Sequence, residues 1–237
     1  MLSLRPHAQR GQTRIGWLQS AHSFSFGEYY DPRNLGFHTL RVINEDHIAP
    51  GRGFGTHPHR DMEILTWVLS GSLAHRDSLG NGSQIRPGEL QRMSAGTGIQ
   101  HSEVNPSPTD PVHLLQIWIK PARPGLAPSY EQQSFSAAGR ANQWQRLASP
   151  EGRDGSVTIQ QAVNLWTSDL TAGQTLDLII PAGHAVWVQV ISGQGRLNDQ
   201  VIEAGDGVAL EQTERLQFET GESPLSVLVF DMSPVTK

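Results

Sequence analysis

Short runs of β-branched, aromatic and aliphatic residues recur along this chain, each closed by glycine, proline, asparagine or aspartate. They include Phe37 to Ile43, Met62 to Leu69, Val112 to Ile119, Val157 to Val163, Thr175 to Ile180, Val186 to Ile191 and Leu225 to Phe230. Each suits a pleated, half-buried strand. Turn-forming clusters stand between them, at Leu79-Gly80-Asn81-Gly82, Pro87-Gly88, Asn198-Asp199 and Gly205-Asp206-Gly207. No amphipathic stretch demands a long helix. The 24 Gly and 15 Pro lean the same way, so an all-β barrel or sandwich architecture is expected.

A chain of 237 residues has room for two compact domains, and its two halves read as weak copies of each other. Glu63-Ile64-Leu65-Thr66-Trp67-Val68-Leu69-Ser70-Gly71, followed by Gln84 to Leu90, parallels Ala185-Val186-Trp187-Val188-Gln189-Val190-Ile191-Ser192-Gly193, followed by Gln200 to Asp206. Both read as strand, Ser-Gly turn, strand, then a short strand ending in a glycine turn. Lys120 to Arg140, with Pro121, Pro124 and Pro128, is the expected linker, an extended connection outside the sheets.

The chain contains no cysteine, which excludes disulfides, thiolate metal sites and a cysteine nucleophile. Any metal must therefore bind nitrogen and oxygen. Formal net charge is −5 with no basic cluster, which argues against direct nucleic-acid binding. The amino-terminal residues lack the apolar core of a signal peptide, and no apolar run approaches the roughly 20 residues that span a bilayer. A cytoplasmic protein with a small-molecule or protein partner is expected, without membrane contact.

His57 and His59 stand two apart after Gly51-Arg52-Gly53-Phe54-Gly55-Thr56, so on a strand they share a face. His101 and Glu103 form a second such pair. Two facing strands presenting these pairs would give a shell of three imidazoles and one carboxylate, suited to Fe(II), Mn(II), Co(II), Ni(II) or Cu(II), with positions left open for a ligand. A lone H-x-H is common on protein surfaces. The second pair, and the cost of burying such groups unpaired, favour a metal site.

The stretch from Gly51 resembles the first cupin motif, with His57, His59, Glu63 and Gly71. Gly88, Ser94-Ala95-Gly96, His101 and Asn105 approximate the second. Two spacings, Glu63 to Gly71 and Gly96 to His101, are longer than the general pattern and match the pirin branch. The chain resembles pirins in Phe24-Ser25-Phe26-Gly27-Glu28-Tyr29-Tyr30-Asp31-Pro32, in Phe54 to Glu63, in Met93 to Glu103 and in His113-Leu114-Leu115-Gln116-Ile117-Trp118. The likeness covers most of residues 1 to 133 and is only general beyond.

The resemblance implies a bicupin of two antiparallel, jelly-roll-like β-barrels joined by short helical or irregular connections. Residues 1–133 would form the metal-binding barrel and 134–237 a degenerate barrel without metal. It implies His57, His59, His101 and Glu103 as ligands of one divalent ion per chain. Fe(II) is the first expectation, with Mn, Co, Ni, Cu or Zn as alternatives. Spacing alone does not choose between Glu63 and Glu103. The pirin pattern and the strand face shared with His101 select Glu103, which leaves Glu63 a structural or supporting residue.

The resemblance to bacterial pirins further implies a quercetin 2,3-dioxygenase, in which Glu103 is the base that takes the flavonol 3-hydroxyl proton. A flavonol-like aromatic and O2 are then the partners of a monomeric chain. A metal-binding regulatory or interaction protein, or another cupin reaction such as an isomerisation, are the alternative functions.

In the second half the repeat sets Ile179 and Pro181 against His57 and His59, and Phe218 and Thr220 against His101 and Glu103, none a plausible ligand. His184 is expected in a loop. His113 and Gln116, on the next strand, could be donors that orient a ligand or hydrogen-bonded core residues, and are left out of the site. His75, near a hairpin end, and His7, His22, His38 and His47 are expected at the surface, and Trp118 and Trp187 in the core.

Overall fold

The computed structural model describes residues 1–234. Antiparallel strands dominate, with one short α-helix, Ala137–Arg140, and two 3-10 turns among the described residues. None of these helices is long and apolar enough to cross a membrane. The chain adopts the expected all-β bicupin class and divides into two compact units. One comprises Gly11–Phe135 with Val157–Gln161; the other comprises Met1–Arg10, Ser136–Ser156 and the residues from Ala162 onward.

These units differ from a division at residue 133 in two segments. Leu2–Arg5 pairs antiparallel with Gly207–Glu211, which carries the amino terminus into the second unit. Val157–Gln161 goes to the first, where Arg92 Nε donates to Thr158 O at 2.9 Å and Thr158 N donates to Glu131 at 3.0 Å. The strand expected over Val157 to Val163 accordingly breaks into Val157–Thr158 and Val163–Leu170. The last three residues expected in the second barrel, 235–237, lie outside the described residues.

The first unit holds a seven-stranded sheet in the order Ser129–Ser134, Glu89–Ser94, Glu63–Ser70, Val112–Ile119, Leu40–Ile48, Leu18–His22 and Gly11–Ile15. A four-stranded sheet runs Gly53–His59, Ile99–Val104, Leu73–Asp77 and Gly82–Ile85. Ile48, Val68, Val112 and Leu114 of the larger sheet pack with Leu73 and Ile85 of the smaller, and burial of this apolar surface holds the two sheets together. Ser129–Ser134 overturns part of the expected linker: it pairs in register with Glu89–Ser94. It is an edge strand of polar residues, so no apolar alternation marked it in the sequence.

In the second unit, Ala185–Leu197 runs past a register shift between Val190 and Ser192. Before the shift it pairs with Gly207–Glu211; beyond it, with Gln200–Glu203 and with the end of Arg215–Glu219. A strand that bends this way turns the corner of a barrel.

The internal repeat survives at its glycines. Gly71 and Gly193 have φ of +76° and +79°, and Gly88 and Gly205 of +84° and +86°. A β-carbon at Gly71 would meet Pro111 O and Val112, and one at Gly193 would meet Pro224 O and Leu225. In both units, then, the turn glycine lets the backbone approach the residue that opens the next long strand.

Candidate metal centre

The Gly53–His59 strand lies at the edge of the four-stranded sheet, where Pro58 is tolerated because no inner ladder needs its missing N–H. His57 and His59 flank Pro58 and point to one face. On the adjacent strand His101 stands directly opposite His57. Ring centroids are 4.4 Å apart for His57 and His101, 4.8 Å for His57 and His59, and 4.9 Å for His59 and His101. One ring nitrogen from each of the three lies within 4.8 Å of the other two.

The register shifts between His101 and Glu103, so Glu103 faces Phe54. Such a bulge re-aims a side chain. Gly53 permits it, because a β-carbon there would strike the backbone at Glu103 and Val104. Glu103 is 3% exposed and groups, within the same 4.8 Å, with His101 and His75. It accepts from Gln116 Nε2 at 2.8 Å and from Thr66 Oγ1 at 3.4 Å, while Thr66 also donates to Gln116 Oε1 at 3.0 Å.

His57 Nδ1 bonds Gly55 O at 2.7 Å. A carbonyl only accepts, so Nδ1 carries the hydrogen and Nε2 keeps its lone pair. His101 is 2% exposed, yet neither of its ring nitrogens has a hydrogen-bond partner. Burial, then the neighbouring His101 and His57, push the His59 pKa down to about 4. Burial, then His57 and His75, push that of His101 down to about 3. At neutral pH these imidazoles are uncharged and offer lone pairs to a cation. An unsatisfied buried imidazole is costly, and a divalent ion with nitrogen and oxygen preference relieves that cost, so the residues fit such an ion.

A cavity of about 340 Å³ opens onto His57, His59 and Glu103. Phe26, Phe54 and Trp118 form its apolar walls. Phe26 packs edge-on against Trp118 at 5.4 Å, and Trp118 packs edge-on against His59 at 4.9 Å. Trp118 is thus a wall of the cavity as well as a packing residue, while Trp187 is buried as expected.

Across the seven-stranded sheet the registered pairs Gln91–Thr66, Thr66–Gln116, Gln116–Asn44 and Asn44–His22 make one row of buried polar side chains. His22 Nδ1 bonds Asn44 Oδ1 at 2.7 Å and its Nε2 bonds Thr13 Oγ1 at 2.8 Å.

Several expectations need correction. His75 and His22 are not at the surface: they are 1% and 2% exposed, His75 beside His101 and His22 lining the cavity. Gln116 does not lie outside the site, since it holds Glu103. His113 does, pairing with Glu45 at 2.9 Å and stacking on His47. His7, His38 and His47 are exposed. Glu63 is buried away from the histidines, accepting from Ser94 Oγ at 2.9 Å and Gln160 N at 3.1 Å, and burial pushes its pKa up. The overlooked inward positions had a signal: Leu73, His75 and Asp77 alternate on one strand face, as do Leu18, Ser20 and His22.

In the second unit, pairing sets Leu176 opposite Phe218 and Leu178 opposite Leu216. These correspond to His57 opposite His101 and His59 opposite Ile99. Leu176, rather than the exposed Ile179, is therefore the counterpart of His57, and the equivalent positions belong to an apolar core. His184 is half-buried and pairs with Asp231. His7, Glu203 and Asp206 also bring ligand-type atoms within 4.8 Å. There the Asp206 carboxylate accepts the backbone amides of His7 at 2.7 Å and Glu203 at 3.1 Å, which makes it a turn-closing group.

Residues 3–119 match the family model described as Pirin, and residues 146–232 match that described as Quercetinase C-terminal cupin domain. A protein of Escherichia coli (strain K12) named quercetin 2,3-dioxygenase is 46% identical, spanning 99% of this chain and 100% of that one. A protein of Pasteurella multocida (strain Pm70) named putative quercetin 2,3-dioxygenase PM1685 is 44% identical over 98% of this chain and 100% of that one. The crystal structure of the bacterial pirin YhhW from Escherichia coli in complex with nickel(II) superposes with a TM-score of 0.94 at 46% identity, covering 99% of this chain and 100% of that one.

Proposed function

Because the chain belongs to the pirin family, we propose that it is a metal-dependent dioxygenase that opens the central ring of flavonols such as quercetin with O2 and releases carbon monoxide. One divalent ion per chain is held by His57, His59, His101 and Glu103; Fe(II) is the first candidate, with Mn, Co, Ni, Cu and Zn as others. The observation that carries this reading is the convergence of three imidazoles, one of them the buried His101, neither of whose ring nitrogens has a hydrogen-bond partner. The names of the relatives support the substrate class, and the nickel bound by YhhW supports the metal.

When bound, the ion supplies Lewis acidity towards the flavonol 3-hydroxyl and the redox partner that O2 chemistry needs. The chain does the rest. Glu103 takes the 3-hydroxyl proton, and its carboxylate is a sufficient base once that hydroxyl is acidified. Gln116 and Thr66 hold the carboxylate in place while it does so. Phe26, Phe54 and Trp118 pack the planar ligand and keep water from the reacting carbon. The electron-rich flavonolate then reacts with O2, and one ring carbon leaves as carbon monoxide.

Anaerobic reconstitution with each divalent metal, followed by quercetin and O2, tests this. Loss of the flavonol absorbance with matching carbon monoxide release is expected. Metal binding without turnover, whatever the metal, contradicts it.

A further inference from the structure

Behind the ligand His101 lies a buried pair that the reaction above does not use. The side chains of His75 and Asp77 are both 0% exposed, and His75 Nε2 bonds Asp77 Oδ2 at 3.1 Å. The carboxylate is anchored by the hairpin turn that follows it. Asp77 Oδ1 accepts from Leu79 N at 2.9 Å and Asn81 N at 3.0 Å, and Asn81 Nδ2 donates to Oδ2 at 2.9 Å. An ionised carboxylate only accepts, so His75 Nε2 carries the hydrogen. Its Nδ1 is left with a bare lone pair, buried and without a partner.

The His75 ring has the ligand histidine as its neighbour. The His75 and His101 rings are 5.4 Å apart, and a ring nitrogen of each lies within 4.8 Å of the other and of the Glu103 carboxylate. Tyr130 also packs against His75, with ring centroids 5.1 Å apart, and restrains the ring. Three buried ring nitrogens here lack partners: both of His101 and Nδ1 of His75. They can be accounted for together. With one His101 nitrogen turned to an ion, the other would be left to donate its hydrogen, and His75 Nδ1 is a buried acceptor without a partner.

We infer that His75, fixed by Asp77, is a positioning residue that sets the tautomer and ring angle of His101 and thereby tunes the affinity of the metal centre. This rests on the metal-centre reading above. A ligating histidine normally gives its second N–H to an acceptor, and loss of such an acceptor weakens metal affinity about 10- to 100-fold. In this chain the acceptor would be another imidazole, itself oriented by a carboxylate in a β-turn.

Metal-free protein titrated with Ni(II) against a competing chelator tests the inference without reference to turnover. His75→Phe keeps the ring and removes the acceptor, so Kd should rise about 10- to 100-fold. His75→Asn returns an oxygen acceptor near the Nδ1 position and should recover most of that loss, which a purely packing role would not explain. Equal Kd for wild type and His75→Phe, or no recovery in His75→Asn, overturns the inference while leaving the metal centre intact. A wild-type chain that binds no Ni(II) overturns the metal centre itself. Should His75→Phe fail to fold, the 15N spectrum of the wild-type imidazoles decides. His75 should carry its hydrogen on Nε2, and a hydrogen on Nδ1 refutes the assignment.

Discussion

Gln116 Nε2 donates to Glu103 Oε2 at 2.8 Å, and this amide, 9% exposed, is the strongest hold on the carboxylate. The same amide's oxygen accepts from Thr66, so its orientation is fixed. Gln116→Leu should leave metal content near one ion per chain and lower kcat for flavonol about tenfold or more, within the range that general-base groups contribute. Turnover rate and metal analysis on the same preparation check this. An unchanged kcat would make Gln116 a packing residue only.

The two candidate carboxylates separate cleanly. Glu103→Gln should lower turnover by at least about 100-fold while much of the metal stays bound. Glu63→Gln should leave turnover near wild type. Its effect should appear as lost stability of about 1–3 kcal/mol, because a buried acceptor of Ser94 and Gln160 is weakened. Denaturant melts and initial rates read the two outcomes. The reverse pattern would move the base to Glu63.

Much of this is legible in the sequence. Val112 to Ile119 is a strand over the expected residues, and the i, i+2 spacing of His57 with His59 survives as a shared face. The turn glycines Gly71 and Gly193 carry the repeat because a positive φ against a facing carbonyl tolerates nothing larger. Other features were hidden for physical reasons. Ser129–Ser134 is an edge strand with no apolar face to betray it. His75 and His22 looked like surface histidines because a polar interior reads as exposed by composition. Only their alternation with Leu73 and Leu18 pointed inward. The Glu103 cradle sets a residue of the four-stranded sheet against the registered Thr66–Gln116 pair of the seven-stranded sheet, which spacing along one strand does not encode.

Acid should destabilise the metal-free protein earlier than it would a protein with ordinary histidines. The folded pKa values of His59 and His101 are about 4 and about 3, below the ordinary 6.5. Between those values the unfolded chain binds more protons than the folded one, so stability rises with pH across this window and falls as pH drops from 6.5 towards 4. Thermal melts of the apo protein from pH 7 to 4 should show a falling Tm. In the His59→Ala, His101→Ala double variant the fall should be shallower. An equal slope in both proteins would remove these histidines as its cause.

Gly193→Ala tests the repeat. Its φ of +79° costs a side-chain-bearing residue about 1–2 kcal/mol, and the β-carbon would also meet Pro224 O. A loss of more than about 2 kcal/mol in a denaturant melt is expected, with Gly71→Ala similar in sign. A neutral Gly193→Ala would show that the turn relaxes.

If His57, His59 and His101 together hold one divalent ion, as proposed, removing one of them should empty the site. Metal analysis of Ni(II)-reconstituted wild type and of His101→Ala, each after exhaustive dialysis, reads this. One tightly held ion per chain is expected in the wild type and close to none in His101→Ala, with the apo melting temperature of the variant not lowered by more than a few degrees. Retention of one ion per chain by His101→Ala would contradict it.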